Sequence, residues 1–313
     1  MECRLLTKEE VCSNSFQIFK KYGTNAAVTD FSLLLGIEVS SDHTSDTLYF
    51  RDREFTDTRA ADYWTMTKDG DRAIAISSYS FGYNSPRKIN NLFIGVRPLL
   101  KYSDIKDLAY DKNISDKEVL EVHFGEYPQT VCEDKIWLEL EKNYKAGNLL
   151  KSGKSYTVNS SVDGSFSPQI FDEYCYRDKK YVRFISNRDI IRTKLSSKKY
   201  IEFGRPYWIE VEPITWMIDE DKDMAVCKKS LVTGIPYDIK KSFKFEETFI
   251  YNYLNNYFIK EIETEKKEKE VNRFAAIEKE IDNMSLEELQ EFRFILENQI
   301  KNKVKLKRKG GII

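Results

Sequence analysis

Two segments carry the strongest structural signal in this chain: Val122-His123-Phe124-Gly125-Glu126-Tyr127-Pro128-Gln129 and Tyr207-Trp208-Ile209-Glu210-Val211-Glu212-Pro213-Ile214-Thr215-Trp216. Both are rich in aromatic side chains, and each contains a proline. Because aromatic residues fit a pleated, half-buried surface, both segments are predicted to form paired strands. Tyr127, Trp208 and Trp216 are expected to anchor the core.

The composition favours a β-rich protein with a neutral overall field. The chain has 313 residues, of which 41% are hydrophobic and 13% aromatic, enough for two domains or one large one. Its formal net charge is -1. A whole-protein field that attracts nucleic acid or an anionic membrane is therefore not expected, and such a partner would need a local patch.

The cysteines and the N-terminus indicate a cytoplasmic setting. The five cysteines are scattered and contain no C-x-x-C pair, which is typical of free thiols in a reducing compartment: Cys3, Cys12, Cys132, Cys175 and Cys227. Residues 1–10 contain three glutamates and no apolar run, so no signal peptide is predicted. No membrane span is predicted either. The cytoplasm of a bacterium or of an infected cell is expected, with a virion as the alternative.

Residues 1–105 are predicted to form a first unit. Thr7-Lys8-Glu9-Glu10 has the pattern of a capping box, so a helix should begin there and run to about Gly23. A strand around Trp64, whose side chain is expected in the core, should be followed by a hairpin turn at Asp69-Gly70. Gly95-Val96-Arg97-Pro98-Leu99-Leu100 is predicted to be an edge strand or strand end.

The polar residues 106–117 are predicted to be a linker, followed by a β-rich second unit over 118–262. From 263 to 313, apolar residues recur at helical spacing on both sides of a break before the capping box Ser285-Leu286-Glu287-Glu288. This pattern predicts a helical hairpin that could mediate self-association. The basic run Lys301–Lys309 favours a solvated helix end over a nucleic-acid contact.

Residues 122–259 resemble a bacterial and phage domain family of unknown function, whose members have a G-[EQR]-Y-P-Q opening and a P-I-x-W strand pair. The matching residues are Gly125-Glu126-Tyr127-Pro128-Gln129 and Pro213-Ile214-Thr215-Trp216. The N-terminal residues are similar to the other half of that family, with its L-x-[ST]-x-E-E helix, tryptophan strand and G-[VA]-R-P-[AV]-L strand. Here the match lies at Leu5–Val11, Tyr63-Trp64-Thr65 and Gly95-Val96-Arg97-Pro98-Leu99. The helical tail lies outside the resemblance.

This family looks like a branch of the C-type-lectin-like fold, which formylglycine-generating enzymes and phage variable receptor-binding proteins share. The resemblance therefore implies an α+β fold of short strands, long loops and one or two helices, followed here by the helical hairpin. It leaves open whether the two halves are separate units or one permuted fold.

The catalytic and metal functions of the wider fold are not expected here. Formylglycine-generating enzymes bind copper through nearby cysteines, and this chain has no close cysteine pair. With His43 and His123 as its only histidines, it cannot supply the three-histidine cluster of the iron-dependent relatives. The E-P-N, Q-P-D and W-N-D motifs of calcium-dependent lectins are also missing. No metal and no other cofactor is predicted.

Two near-motifs favour ordinary turns. Gly147 to Ser155 has one residue too many for a phosphate-binding loop, and the residues after it favour a strand where that motif needs a helix. Asp219-Glu220-Asp221-Lys222-Asp223 is acidic, but Met224 and Ser230 stand where a calcium loop needs Gly and Glu. A solvated hairpin turn is predicted there.

Aromatic residues among Gly, Asn, Ser and Pro are the candidate binding material: Tyr79, Phe81, Tyr83 and Phe93. Tyrosine beside small polar residues offers a large contact area at low entropic cost. The alternative, that these rings pack under their own loop, has equal weight.

The leading hypothesis is a non-catalytic binding protein whose loops contact a protein or glycan. The first alternative is a phage-encoded virion component or an inhibitor of a host defence system. The second is a divergent enzyme of the formylglycine-generating type. Neither a membrane nor a nucleic-acid partner is expected.

Overall fold

The computed structural model describes residues 1–12, 16–22, 24, 26–37, 39, 60–77, 84–115, 118–159, 165–186 and 190–263. The chain divides into two compact units, Met1–Glu263 and Thr264–Ile313. The second unit, with the predicted helical hairpin and basic run, lies outside the described residues. The first unit mixes helices with mostly antiparallel sheets and is an α+β structure.

The strands are β1 (Ala26–Val28), β2 (Ala60–Ala61), β3 (Tyr63–Asp69), β4 (Arg72–Ile76), β5 (Asn84–Lys88), β6 (Leu99–Lys101), β7 (Tyr110–Ile114), β8 (Leu120–Val131), β9 (Leu150–Asn159), β10 (Pro168–Tyr176), β11 (Lys179–Ile185), β12 (Ile190–Lys194), β13 (Tyr200–Ile201), β14 (Pro206–Asp219), β15 (Met224–Cys227) and β16 (Lys229–Ser230). The α-helices are α1 (Lys8–Cys12), α2 (Gln17–Tyr22), α3 (Asp30–Leu34), α4 (Tyr102–Ile105), α5 (Asp134–Lys145), α6 (Phe249–Tyr253) and α7 (Ile259–Glu263). A π-turn, Leu254–Phe258, joins α6 to α7, and a 3-10 turn, Phe245–Glu247, precedes α6.

The centre of the largest sheet is the antiparallel pair of β8 and β14, the two segments that the sequence singles out. Strand β14 also pairs with β11 at its start and with β15 at its end. The sheet continues from β11 to β10 and β9, and from β15 to β6, while β7 lies beside β8. Both segments are therefore strands, as predicted; they pair with each other, and β14 is one strand of 14 residues that runs through Pro213.

Two bulges on β8 explain the residues around Tyr127. Opposite Ile214, strand β8 has one extra residue, and Gly125 there takes a left-handed φ of 71°. Such a bulge favours glycine because other residues are strained at positive φ. At the second bulge, the Gln129 amide donates hydrogen bonds to the carbonyl oxygens of Glu212 (3.1 Å) and Pro213 (2.9 Å). The glycine and the glutamine of this motif thus have structural roles.

The predicted division into units 1–105 and 118–262 is wrong. Strand β6 pairs with β15, and β1 runs parallel to β16, so both predicted halves share their sheets. Residues of the expected linker 106–117 form β7, which pairs with β8. A short strand needs partners for its backbone N–H and C=O groups and cover for its apolar face. Here strands of each predicted half supply these partners to strands of the other half.

The capping box at Thr7 is confirmed, but the helix that it opens is shorter than predicted. The Glu10 N–H donates to Thr7 Oγ1 at 2.9 Å, and the Thr7 N–H donates to Glu10 Oε2 at 2.7 Å. The helix ends at Cys12, and a separate helix, α2, begins at Gln17.

Four large aromatic residues lie in the core, where the sequence analysis places them. Trp64, Tyr127, Trp208 and Trp216 are all fully buried. Trp216 Nε1 donates to the Phe124 carbonyl oxygen at 2.8 Å, which ties β14 to β8 a second time. Trp208 Nε1 donates to Glu141 Oε1 on α5 at 2.9 Å. Both indole N–H groups are therefore satisfied inside the core. Among the helices described, none is long and apolar enough to cross a membrane.

Candidate functional site

The predicted aromatic surface falls partly outside the described residues. Tyr79, Phe81 and Tyr83 belong to the segment between β4 and β5 that the structure does not describe. Phe93 is described, and 39% of it is exposed to solvent. Its N–H donates to Asn91 Oδ1 at 2.8 Å, which holds the turn after β5.

A cleft of about 530 Å³ opens next to that turn. Its walls come from the β3–β4 turn, the end of β5 and the segment after Tyr237, and the lining residues are Asp71, Arg72, Lys88, Ile89, Asn90, Ser165, Asp238, Ile239 and Lys241. The volume lies in the range of small-molecule sites, about 300–1,000 Å³. The lining mixes cations, carboxylates, an amide and two isoleucines, so it can meet a ligand that is partly polar and partly apolar.

Pairing between β4 and β5 places two cations side by side in this cleft. Arg72 lies directly opposite Lys88 in the antiparallel register. Directly opposite residues project from the same face of a sheet, and like charges there are unfavourable. Within the described part of the chain, neither side chain makes an ion pair.

The third wall is fixed to β5 through Asp238. The Asp238 N–H donates to the Ile89 carbonyl oxygen at 3.1 Å. The Asp238 carboxylate is 1% exposed and accepts the N–H groups of Lys240, at 3.1 Å, and of Ser242. These bonds hold the turn in which Lys241 takes a positive φ of 55°. Non-glycine residues rarely adopt this conformation. The hydrogen bonds to Asp238 therefore hold the backbone of this turn in one arrangement.

One aromatic ring in the segment that follows the cleft residue Lys241 is almost completely exposed. Phe243, two residues after Lys241, is 98% exposed, and Ile239 is 47% exposed. No motif in the sequence predicted a functional role for this segment. The signal in the sequence is one phenylalanine among lysines in Lys240-Lys241-Ser242-Phe243-Lys244. A segment this rich in lysine is expected at the surface, and its phenylalanine is then exposed with it.

A second cluster of ionisable groups lies under the motif strand β8. Tyr156 Oη donates to Glu173 Oε2 at 2.6 Å, and Lys180 Nζ lies 2.9 Å from Glu126 Oε2 and 4.0 Å from Glu173 Oε1. Glu173 is fully buried. Burial and the neighbouring Glu173 raise the pKa of Tyr156 well above its usual value, so this phenol stays protonated at neutral pH.

The same cluster reaches α7 through Thr157. Tyr253 Oη donates to the Thr157 carbonyl oxygen at 3.0 Å, and the Thr157 N–H donates to Glu261 Oε1 at 2.7 Å. Burial raises the pKa of Glu261 to about 7, against the opposing effects of the Thr157 hydrogen bond and the Lys154 charge. These groups connect β9 to α7 inside the core and do not line the cleft, so a structural role accounts for them.

The buried thiols are poor nucleophiles. Burial raises the pKa of Cys227 and of Cys132 to about 12, and it also raises that of Cys3. A thiol reacts as the thiolate, so these three are inert at neutral pH. Among the described residues, no group of three or more His, Cys, Asp or Glu side chains could hold a metal ion.

Comparison with known proteins adds no relative. No family model, no curated protein and no solved structure matches the chain. The role of the cleft and of Phe243 is therefore inferred from the lining residues and their exposure alone.

Proposed function

We propose that this protein is a non-catalytic recognition module of the C-type-lectin-like class, which contacts a protein or glycan partner through the cleft around Arg72 and Lys88. The exposed ring of Phe243 carries the proposal. Phe243 is 98% exposed in the free protein, and a partner that covers it would remove its whole ring from water.

The fixed backbone around the cleft supports recognition. Asp238 anchors the turn to β5, so Lys241 and its neighbours are held before a partner arrives. A surface that is ordered in advance loses less entropy on binding than one that must be ordered by its partner.

The three buried thiols are unsuited to nucleophilic catalysis, whereas Cys12 is exposed and Cys175 is half-buried. Cys3, Cys132 and Cys227 are protonated at neutral pH, so they do not provide the nucleophile that a thiol-dependent enzyme requires.

The proposal can be tested with the labelled full-length protein on arrays of glycans and of proteins, beside its Phe243→Ser variant. The control is Leu150→Ser, because Leu150 is 75% exposed and lies at the far end of β9 from Asn159. Asn159 contacts Ser165 of the cleft. Leu150 and Asn159 are nine residue steps apart along β9, which is about 30 Å in an extended strand.

Binding should be lost with Phe243→Ser and kept with Leu150→Ser. If every signal of the parent protein persists in Phe243→Ser, or if none exceeds that of heat-denatured protein, the proposed surface is wrong.

A further inference from the structure

We propose that the cleft binds an anionic sugar, a saccharide that carries a carboxylate, sulfate or phosphate, through Arg72, Lys88 and Lys241. The inference rests on the proposed function, because it assigns a ligand class to the same cleft.

The charge balance of the lining favours an anion. Three cations line the cleft against two carboxylates, Asp71 and Asp238. Asp238 is 1% exposed and its carboxylate already accepts two backbone N–H groups, so it offers little to a ligand. Asp71 is thus the one solvent-exposed carboxylate among the lining residues that the structure describes.

The β4–β5 register favours anion binding in a second way, because a bound anion relieves the repulsion between two cations. Arg72 and Lys88 repel each other across the β4–β5 pair in the free protein. An oxyanion between them removes this repulsion, and the Arg72 guanidinium can hold two of its oxygens at once, as guanidinium groups do with carboxylates, sulfates and phosphates.

The remaining lining fits the body of a sugar. Asn90 and Asp71 offer a donor amide and an acceptor for hydroxyl groups, while Ile89 and Ile239 offer apolar surface to the C–H face of the sugar ring. A site with a few convergent polar groups on an apolar wall is typical of small-molecule recognition.

An acidic peptide fits this cleft less well. A peptide that binds by strand addition needs a free strand edge, and β5 is the outer strand of its three-stranded sheet. That strand carries Pro86, which has no N–H, together with the charged residues Arg87 and Lys88. Proline and charge on an edge strand oppose the addition of another strand.

The test is calorimetric titration of the full-length protein with glucuronic acid, glucose 6-sulfate and glucose 6-phosphate. Neutral glucose, inorganic phosphate, sodium sulfate and a tetraglutamate peptide are the comparison ligands. At least one anionic sugar should bind ten times more tightly than glucose and than the free anions, and its affinity should fall as the salt concentration rises.

Variants locate the site. Arg72→Gln and Lys88→Gln should each weaken binding of that sugar about tenfold or more, as expected for loss of a charge-assisted hydrogen bond. Lys112→Gln is the matched control, because Lys112 is exposed on β7 and does not line the cleft. If either β-hairpin variant fails to fold, as judged by its circular dichroism, Lys241→Gln gives the same test on a different wall.

Several outcomes overturn the inference. If glucose binds as tightly as the anionic sugars, the cleft does not recognise the anionic group. If inorganic phosphate binds as tightly as they do, the cleft does not recognise the sugar. Tighter binding of tetraglutamate assigns the cleft to an acidic peptide and leaves the proposed recognition role intact. If no sugar binds while Phe243→Ser still abolishes array binding, the ligand class is wrong and the proposed function stands.

Discussion

Replacing Glu261 by glutamine should stabilise the protein at and above neutral pH and have little effect near pH 4.5. Glu261 is 8% exposed, and burial raises its pKa from 4.5 to about 7. Glutamine has the shape of the protonated carboxyl group. It can still accept the Thr157 N–H that now donates to Glu261 Oε1 at 2.7 Å.

The sign follows from the raised pKa. Below pH 4.5 the carboxyl group is protonated in both the folded and the unfolded chain, so its contribution to stability is fully present there. As the pH rises towards about 7, the unfolded chain releases this proton first and the folded state loses stability relative to it. Each pKa unit is worth about 1.4 kcal/mol, so the free energy of unfolding should fall by about 3 kcal/mol over this range. The glutamine variant has no such loss.

Several neighbours face this carboxyl group. The charge of Lys154, on β9, lowers the pKa of Glu261. Burial raises the pKa values of the phenols Tyr127, on β8, and Tyr253, on α6, so both are neutral over the whole range. The pH dependence between 4.5 and 7 therefore comes from Glu261 itself, with the Lys154 charge working against it.

The measurement is urea unfolding, followed by tryptophan fluorescence, at pH 5, 6, 7 and 8. Glu247→Gln is the control, because Glu247 is exposed and lies in the 3-10 turn before α6. All other titrating groups cancel in the difference between each variant and the parent. If the Glu261→Gln difference stays constant from pH 5 to pH 8, Glu261 is ionised in the folded protein and the reasoning is refuted.

Three further predictions concern the core, the bulge and the tail. Trp216→Ala should lower the free energy of unfolding by about 3–5 kcal/mol through lost burial and a cavity, and a melt less than about 5 °C below that of the parent would contradict this. Gly125→Ala should cost more than Gly204→Ala in urea unfolding. Both glycines have a φ of 71°, but only at Gly125 would the added methyl group lie 2.9 Å from Ile262 Cβ, so equal costs would show that Ile262 moves aside. Deletion of Thr264–Ile313 should leave the near-ultraviolet circular dichroism of the first unit unchanged and abolish any self-association seen by sedimentation; a lost spectrum would make the tail part of the core.

Local sequence determined the features whose energies are local. The capping box at Thr7 and the Asp69-Gly70 turn between β3 and β4 formed as predicted, because each depends on residues within a few positions. The N-cap Thr248, whose Oγ1 accepts the Tyr251 N–H, belongs to the same class. Burial of Trp64, Trp208 and Trp216 also follows from their type and strand context, since large aromatic rings gain most from leaving water.

Sequence indicated β8 and β14 as strands but not their bulges. Pro213 lies inside β14 although a proline has no N–H to give to the ladder. In the folded chain, the side chain of Gln129 donates to the carbonyl oxygens beside this proline, and Gly125 absorbs the extra residue at positive φ, so β14 continues through it. Those contacts join residues more than eighty positions apart, and strand propensity does not contain them.

Only the tertiary structure decided the unit boundaries and the cleft. A gap of polar residues at 106–117 indicated a linker, yet the need of β6 and β1 for partners is met by β15 and β16 from the far side of that gap. The cleft brings Arg72 and Lys88 of the hairpin together with Lys241, which follows Lys88 by 153 residues and Arg72 by 169 in the printed sequence. The raised pKa of Glu261 arises in the same way, because desolvation depends on which distant strands cover a carboxyl group and not on its neighbours in the chain.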